Sequence, residues 1–174
     1  MATQTLATFA PEDVKVIVSR GDFTHVISGY SEDAMVGIAR NSPTFEMFVS
    51  ADNQSTRVYK ANTSATVTLT LNQTSVSNDV LSQLYLNDKA SRNSSGLFEV
   101  QILDMSGRSR YTSKQAFIAV VPDSSFSNSV QTREWQIFCD SLDTIIGGNA
   151  LIGEDDAATL TALGATVDAK WRSN

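Results

Sequence analysis

The sequence predicts a mainly β domain carrying one amphipathic helix, and three observations predict it. Between Ala65 and Leu71, the apolar Val67, Leu69 and Leu71 alternate with Thr66, Thr68 and Thr70. A period of two places the apolar side chains on one face of a strand and the hydroxyls on the other. A few residues later the period changes: Val80, Leu81, Leu84 and Tyr85 form a stripe at helical spacing. The composition is the third observation. Hydrophobic residues make up 41% of the 174 and charged residues only 18%. Ser, Thr, Asn and Gln fill the difference, a mix that favours strands and loops over long surface helices.

The remaining elements follow in order. Val14, Val16 and Val18 line one face of a strand, Gly21-Asp22 reads as a turn, and Phe23 to Ser28 returns, which makes a hairpin. Met35 to Arg40 and Thr44 to Ser50 are two more strands, separated by the turn sequence Asn41-Ser42-Pro43. The segment from Ala51 to Ser64 is polar around a short Arg57-Val58-Tyr59-Lys60 centre, and it reads as a loop too long for a hairpin connection. Ser75 and Ser77 are the expected acceptors for the free N–H groups at the helix start, with Asp79 and Lys89 suited to its two ends. Phe98, Val100 and Ile102 mark a strand after the helix, and Met105 to Arg108 a turn. Gln115 to Val121 is apolar on both faces and predicts a central strand covered on both sides. A Ser-rich loop from Pro122 to Ser129 leads to the last long strand, with Trp135, Ile137 and Cys139 on one face. In the tail, Glu154, Asp155 and Asp156 precede an apolar stretch and form the acidic first turn of a short helix that Gly164 ends. The expectation is one domain over 1–174, with 142–174 a C-terminal extension packed on it or on a neighbouring subunit.

Charge and chemistry exclude several classes. The net charge is −6 and no basic run exists, which argues against a protein that grips nucleic acid. No apolar stretch approaches membrane-spanning length, and MATQTLATFAPED lacks the basic start and apolar core of a secretory signal. One histidine, His25, and one cysteine, Cys139, build neither a zinc site nor a hydrolase triad within one chain. His25 alternates with Phe23 and Ile27 and reads as a packed or interface histidine, and Cys139 as an inert buried thiol. The acids Glu154 to Asp156 lack the spaced ligands of a calcium loop. No catalytic constellation, cofactor or metal is expected. A surface poor in charge and rich in small polar groups suits burial against other copies, because such groups cost less to desolvate than ions.

The stretch VTLTLNQTSVSNDVLSQL from Val67 to Leu84, with FEVQILDMSG from Phe98 to Gly107, IAVVP from Ile118 to Pro122 and TREWQI from Thr132 to Ile137, resembles the tail tube proteins of contractile-tailed bacteriophages. The likeness to this family of small phage structural proteins runs from about Phe9 to Leu142. It differs at one loop tip, where the family is Gly-rich and this chain has Ser50-Ala51-Asp52-Asn53-Gln54. The resemblance implies a β-sandwich or half-barrel with one flanking helix, whose sheets join between subunits in hexameric rings that stack into a hollow tube. It implies as partners further copies of the chain, sheath, baseplate and tail-terminator proteins and a tape measure protein. Phage DNA would pass through without specific binding, and no membrane would be entered. The location implied is the virion tail, assembled in the host cytoplasm.

Within that frame, Thr66, Thr68 and Thr70 are the candidates to face the lumen, since small neutral hydroxyls offer DNA no fixed positive charge. Asp52, Asn53, Arg57, Tyr59 and Lys60 are the candidates for contact with an adjacent ring, with Glu154, Asp155 and Asp156 as acidic partners. The alternative reading is a β-sandwich adhesin or carbohydrate-binding module, which requires an exposed aromatic platform built on Trp135 or Trp171.

Overall fold

The computed structural model describes residues 6–173. Met1 to Thr5, the start of the stretch read as lacking a signal, and Asn174 lie outside the described residues. The chain forms β1 (Val14–Arg20), β2 (Phe23–Val26), β3 (Val36–Arg40), β4 (Phe45–Val49), β5 (Ser55–Tyr59), β6 (Ala65–Asn72), α1 (Ser77–Ser91), β7 (Phe98–Asp104), β8 (Arg110–Val120), β9 (Thr132–Cys139), β10 (Asp143–Ile145) and α2 (Glu154–Ala162). Gly21 turns the first hairpin at φ 55°. The main sheet runs β2-β1-β7-β8-β9-β6-β3, with β10 also on β8 and every pairing antiparallel.

β8 has eleven residues and belongs to both halves of this sheet. Its first half pairs with β7, from Leu103↔Arg110 to Val100↔Ser113, and with β10. Its second half pairs with β9, at Ala116↔Cys139 and Ile118↔Ile137. The register shifts against β7 between Phe98 and Val100 and against β9 between Ile118 and Val120. Such bulges bend a strand and raise its twist. The β2–β3 connection then ties the two ends of the sheet together. Ile27 N–H donates to the Val16 carbonyl, while Ser31 N–H donates to Thr70 O and Asn72 N–H to Gly29 O. The sheet therefore curls on itself as a half-barrel.

The concave side holds the core. Val16, Val18, Val67, Leu69, Leu71, Val100 and Ile137 are fully buried there, and α1 inserts Leu81 and Leu84 among them. Trp135 lies in the same cluster and donates from Nε1 to Asn78 Oδ1 of α1 at 2.9 Å, so a buried indole N–H is satisfied by the helix it packs against. Ser75 behaves as predicted: its Oγ accepts from Ser77 N–H at 3.1 Å. Ser77 does not cap the helix. It is wholly buried, and its Oγ accepts from Ser28 N–H at 3.0 Å and lies 2.9 Å from His25 Nε2. It serves the β2–β3 connection instead, giving the Ser28 backbone N–H its acceptor. The helix ends on Arg92 in the left-handed region, whose N–H reaches Asp88 O.

One strand reading is corrected. β8 is central in the order, yet only one of its faces is covered. Ala116 and Ile118 are buried, Phe117 is half-buried, and Ala119, Val120 and Val121 are exposed. The apolar run reflects a core face and an open apolar face, not two covered ones. After β10 the chain folds back onto the β7–β8 turn. Asn149 Nδ2 donates to Asp104 Oδ2 at 3.1 Å, and Arg108 donates to Ala150 O at 2.8 Å while lying 5.0 Å over the Trp171 ring. The short helix forms as α2, and Gly164 follows it at φ 87°.

Leu81→Ala in this packing is expected to cost about 2–5 kcal/mol, whereas Ser82→Ala on the exposed side of α1 stays within about 0.5 kcal/mol. Urea unfolding of the two variants measures the difference, and equal midpoints would contradict the assigned helix face.

Candidate assembly surfaces

The segment predicted as a long polar loop contains a strand. β4 and β5 pair with each other, from Phe45↔Tyr59 to Val49↔Ser55, and form a separate two-stranded sheet. All ten of its residues are exposed. Phe45, Met47, Val49, Ser55, Arg57 and Tyr59 share one face and Glu46, Phe48, Thr56 and Val58 the other. The hairpin is thus an arm standing off the half-barrel. Lys60 Nζ pairs with Glu46 at 2.6 Å, and the Arg57 guanidinium lies 4.4 Å over the Phe45 ring, which itself packs on Tyr59 at 5.6 Å.

The arm's tip explains the missing glycine. Asn53 N–H closes a turn onto Ser50 O at 2.9 Å, and Asn53 adopts φ 62°. Asparagine tolerates this left-handed conformation better than most residues, so it replaces the glycine at that point. The Ser50 hydroxyl donates to Asp52 and holds its exposed carboxyl below the usual carboxylate range. Sequence reading missed β5 because Ser55-Thr56-Arg57-Val58-Tyr59 lacks the alternation of a half-buried strand. An arm with no covered face has no reason to show it.

Thr66, Thr68 and Thr70 lie on the convex side of β6, opposite the buried Val67, Leu69 and Leu71. Their neighbours change along the strand. Thr70 faces Glu134, Thr68 faces Gln136 and Gly37, and Thr66 faces Phe138 and Ala39. Phe138 packs on Phe117 at 5.2 Å, so the hydroxyl strip grades into an apolar patch on the same face. This strip carries no Lys or Arg among those partners.

Glu154, Asp155 and Asp156 are exposed in the first turn of α2, where they complement the positive end of the helix. Among the described residues no group of His, Cys, Asp and Glu is arranged to hold a metal. The Lys60 ammonium is answered within the arm, by Glu46, and not by these acids. His25 is half-buried against Ser77. Cys139 is buried, and burial pushes its thiol above the ordinary range. Burial likewise raises the Tyr30 phenol, whose hydroxyl has no hydrogen-bond partner among the described residues. Trp135 is in the core, and Trp171 lies under Arg108 and within 5.2 Å of Lys170, so neither tryptophan offers an open stacking platform.

Comparison with known proteins decides what this arrangement is. Residues 6–147 match the family model described as the bacteriophage PhiTE tail tube protein. The chain belongs to this phage tail tube family. The tail tube chain is also 42% identical over 173 residues to structural protein ORF10 of Pseudomonas phage KPP10, covering 98% of this chain and 99% of the relative. Its fold is similar to that of the tube-terminating cap of the anti-feeding prophage, at TM-score 0.52 and 12% identity over 83% of this chain and 94% of the cap. The protein is therefore a structural component of the phage tail and not an enzyme. The family match stops at residue 147, before α2, so the C-terminal segment lies beyond the part the family model describes.

In the folded tail protein, a small thiol reagent is expected to modify Cys139 only as fast as the sheet opens, and to modify one thiol per chain at once in denaturant. Rapid stoichiometric labelling under native conditions would show that β9 is not covered as described.

Proposed function

We propose that this tail tube protein forms hexameric rings that stack into the hollow tube of a contractile tail, through which the genome is ejected. The single observation that carries the reading is the arm. A lone two-stranded hairpin is marginal in water, and Phe45, Met47, Phe48, Val49, Val58 and Tyr59 leave it apolar on both faces. Met47 is 76% exposed. Such an element requires a second surface, and in a tail tube the abundant surface is another copy. Head-to-tail contacts of this kind do not close and so propagate along an axis. Sheath, baseplate, terminator and tape measure proteins are the further partners of this reading, with assembly in the host cytoplasm.

This reading assigns the convex face of β6 to the lumen. Thr66, Thr68 and Thr70 present hydroxyls without fixed positive charge, so passing DNA would displace few counterions and adhere weakly. Glu154 to Asp156 remain the proposed acidic partners for the cations of an arm from the next ring.

Electron microscopy of the purified protein tests the whole reading; six-fold rings or tubes support it, and a monomer at every concentration sinks it. Replacing Phe45–Lys60 with a short Gly-Ser linker is expected to leave the half-barrel folded, because β4 and β5 pair only with each other, and to abolish stacking. Tubes of normal length from that variant would refute the arm's role. Thr68→Lys with Thr70→Lys is expected to preserve assembly while slowing genome ejection in a phage carrying both changes. Cysteines placed at these positions would lie on the outer wall if a reagent unable to enter the channel labelled them in intact tubes, and the lumen assignment would then fall.

A further inference from the structure

The connection from Val121 to Gln131 between β8 and β9 is long for a hairpin, yet it is fastened by its own hydrogen bonds. Gln131 Nε2 donates to Ser127 Oγ at 2.7 Å, and Ser127 Oγ lies 3.1 Å from Ser129 Oγ. The buried Arg133 donates from Nη2 to the Ser125 carbonyl at 3.2 Å, and its guanidinium lies 5.3 Å from the Phe126 ring. Phe126 is nevertheless 85% exposed, and Val130 beside it is exposed as well. An ordered loop that holds a phenyl ring in water is a knob without a hole.

A hole lies at the other end of the same strand. Between the β7–β8 turn, β10 and the C-terminal segment is a groove of about 590 Å³, lined in part by Leu103, Met105, Ile145, Ile146, Leu160 and Trp171. Met105 is 63% exposed and Ile146 78%. The volume is well above the ~150 Å³ that holds a benzene ring in an apolar cavity. Its walls are fixed by Arg108, which joins the turn to Ala150 O and Trp171, and by the Asn149–Asp104 hydrogen bond.

We propose that Phe126 of one copy seats in this groove of the next copy along the tube. The knob follows the last residue of β8 and the groove surrounds the first, Arg110. Eleven residues of strand separate them by about 33 Å at 3.3 Å per residue, less where the bulges shorten it. A convex feature and a concave one at opposite ends of one strand meet when a copy is displaced along that strand. The contact is heterologous and stays open at both ends, which is what an axial stack requires. Charge agrees: Asp123 is the loop's one charged residue, and the groove carries Arg108, Arg110 and Lys170 against Asp104 and Asp168. The proposal rests on the stacking reading and adds a second axial contact to the arm.

Cysteine cross-linking tests it, with wild-type assembly scored by microscopy alongside. The chain carrying both Phe126→Cys and Ile146→Cys is expected, after oxidation, to run as a ladder of dimers, trimers and longer species without reductant. Each single variant alone stays monomeric, and an equal mixture of the two stops at dimers. Where Phe126→Cys prevents assembly, Val130→Cys with Met105→Cys reads the same contact and gives the same ladder. Tubes without a cross-link from either pair overturn this proposal and leave the stacking reading standing. A product that ends at dimers in the double variant means a closed two-fold contact and also overturns it. Efficient cross-linking of Met47→Cys to Ile146→Cys in its place assigns the groove to the arm and overturns the proposal as well. Wild-type protein that never forms rings or tubes removes the stacking reading and this proposal together.

Discussion

Everything in this fold depends on β8 being shared. A sheet of this length cannot cover a core while staying flat, since strands twist and each half must bury its own apolar face. β8 solves this by changing partners along its length. Its register shifts against β7 and β9 turn the two halves of the sheet toward each other. The closure by Gly29, Tyr30 and Ser31 onto β6 is possible only because of that turn. So is the position of α1, whose Leu81 and Leu84 fill the mouth of the half-barrel and whose Asn78 receives Trp135. One buried polar group, Ser77, belongs to this closure. Ser77, wholly buried at the helix start, accepts from a backbone N–H of the β2–β3 connection and so ties α1 to it.

A half-barrel that closes through a loop and not through a ladder leaves strand edges. Among the described residues β3 has a single strand partner, β6, and β2 a single one, β1. Exposed edges favour pairing with other chains, and proteins that are meant to stay monomeric usually blunt them with charge. This chain has only 18% charged residues available for such protection. The arm continues the same logic. It leaves the sheet between β3 and β6, carries apolar residues on both faces, and pairs with no other strand among the described residues. Burying one Phe or Met side chain fully contributes roughly 1.5–3 kcal/mol, so a docked arm would offset much of the entropy lost on association.

The parts legible in the sequence are those where one periodicity meets one environment. β6 is legible because every second residue is fully buried and the others are mostly hydroxyls. α1, β7 and β9 are legible for the same reason. β5 is not, because an arm with two exposed faces imposes no alternation on its sequence. The open face of β8 misleads, because Ala119 and Val120 are apolar yet exposed and Phe117 is only half-buried. Ser77 misleads because a serine at a helix start and a serine that bonds a distant strand are the same letter. Periodicity reports burial, and it cannot report which molecule does the burying. The tail tube family is legible through motifs of the α1 and β6 region, while the knob at Phe126 and the groove beside Trp171 leave no signal, since each is created by tertiary contact.

Most of the exposed large apolar residues fall on the arm, on the β8–β9 loop and around the groove below β8, while Leu6, Phe9, Val26, Val76, Leu86 and Leu163 are exposed elsewhere. Each cluster alone is too small to hold two subunits together against the cost of association, which runs to several kcal/mol or more. In the proposed ring, every subunit would present the same clusters to the next ring at once. Engagement of one then raises the effective concentration of the others, and contacts that are weak singly become strong together. Weak individual contacts also have an advantage for a chain made free in solution. Under that proposal two stray subunits would separate readily, whereas a subunit meeting a completed ring would find all its surfaces in place. A low-charge surface with a few ordered apolar features would in that way keep the subunit dispersed until a template exists, and hold the tube once it does.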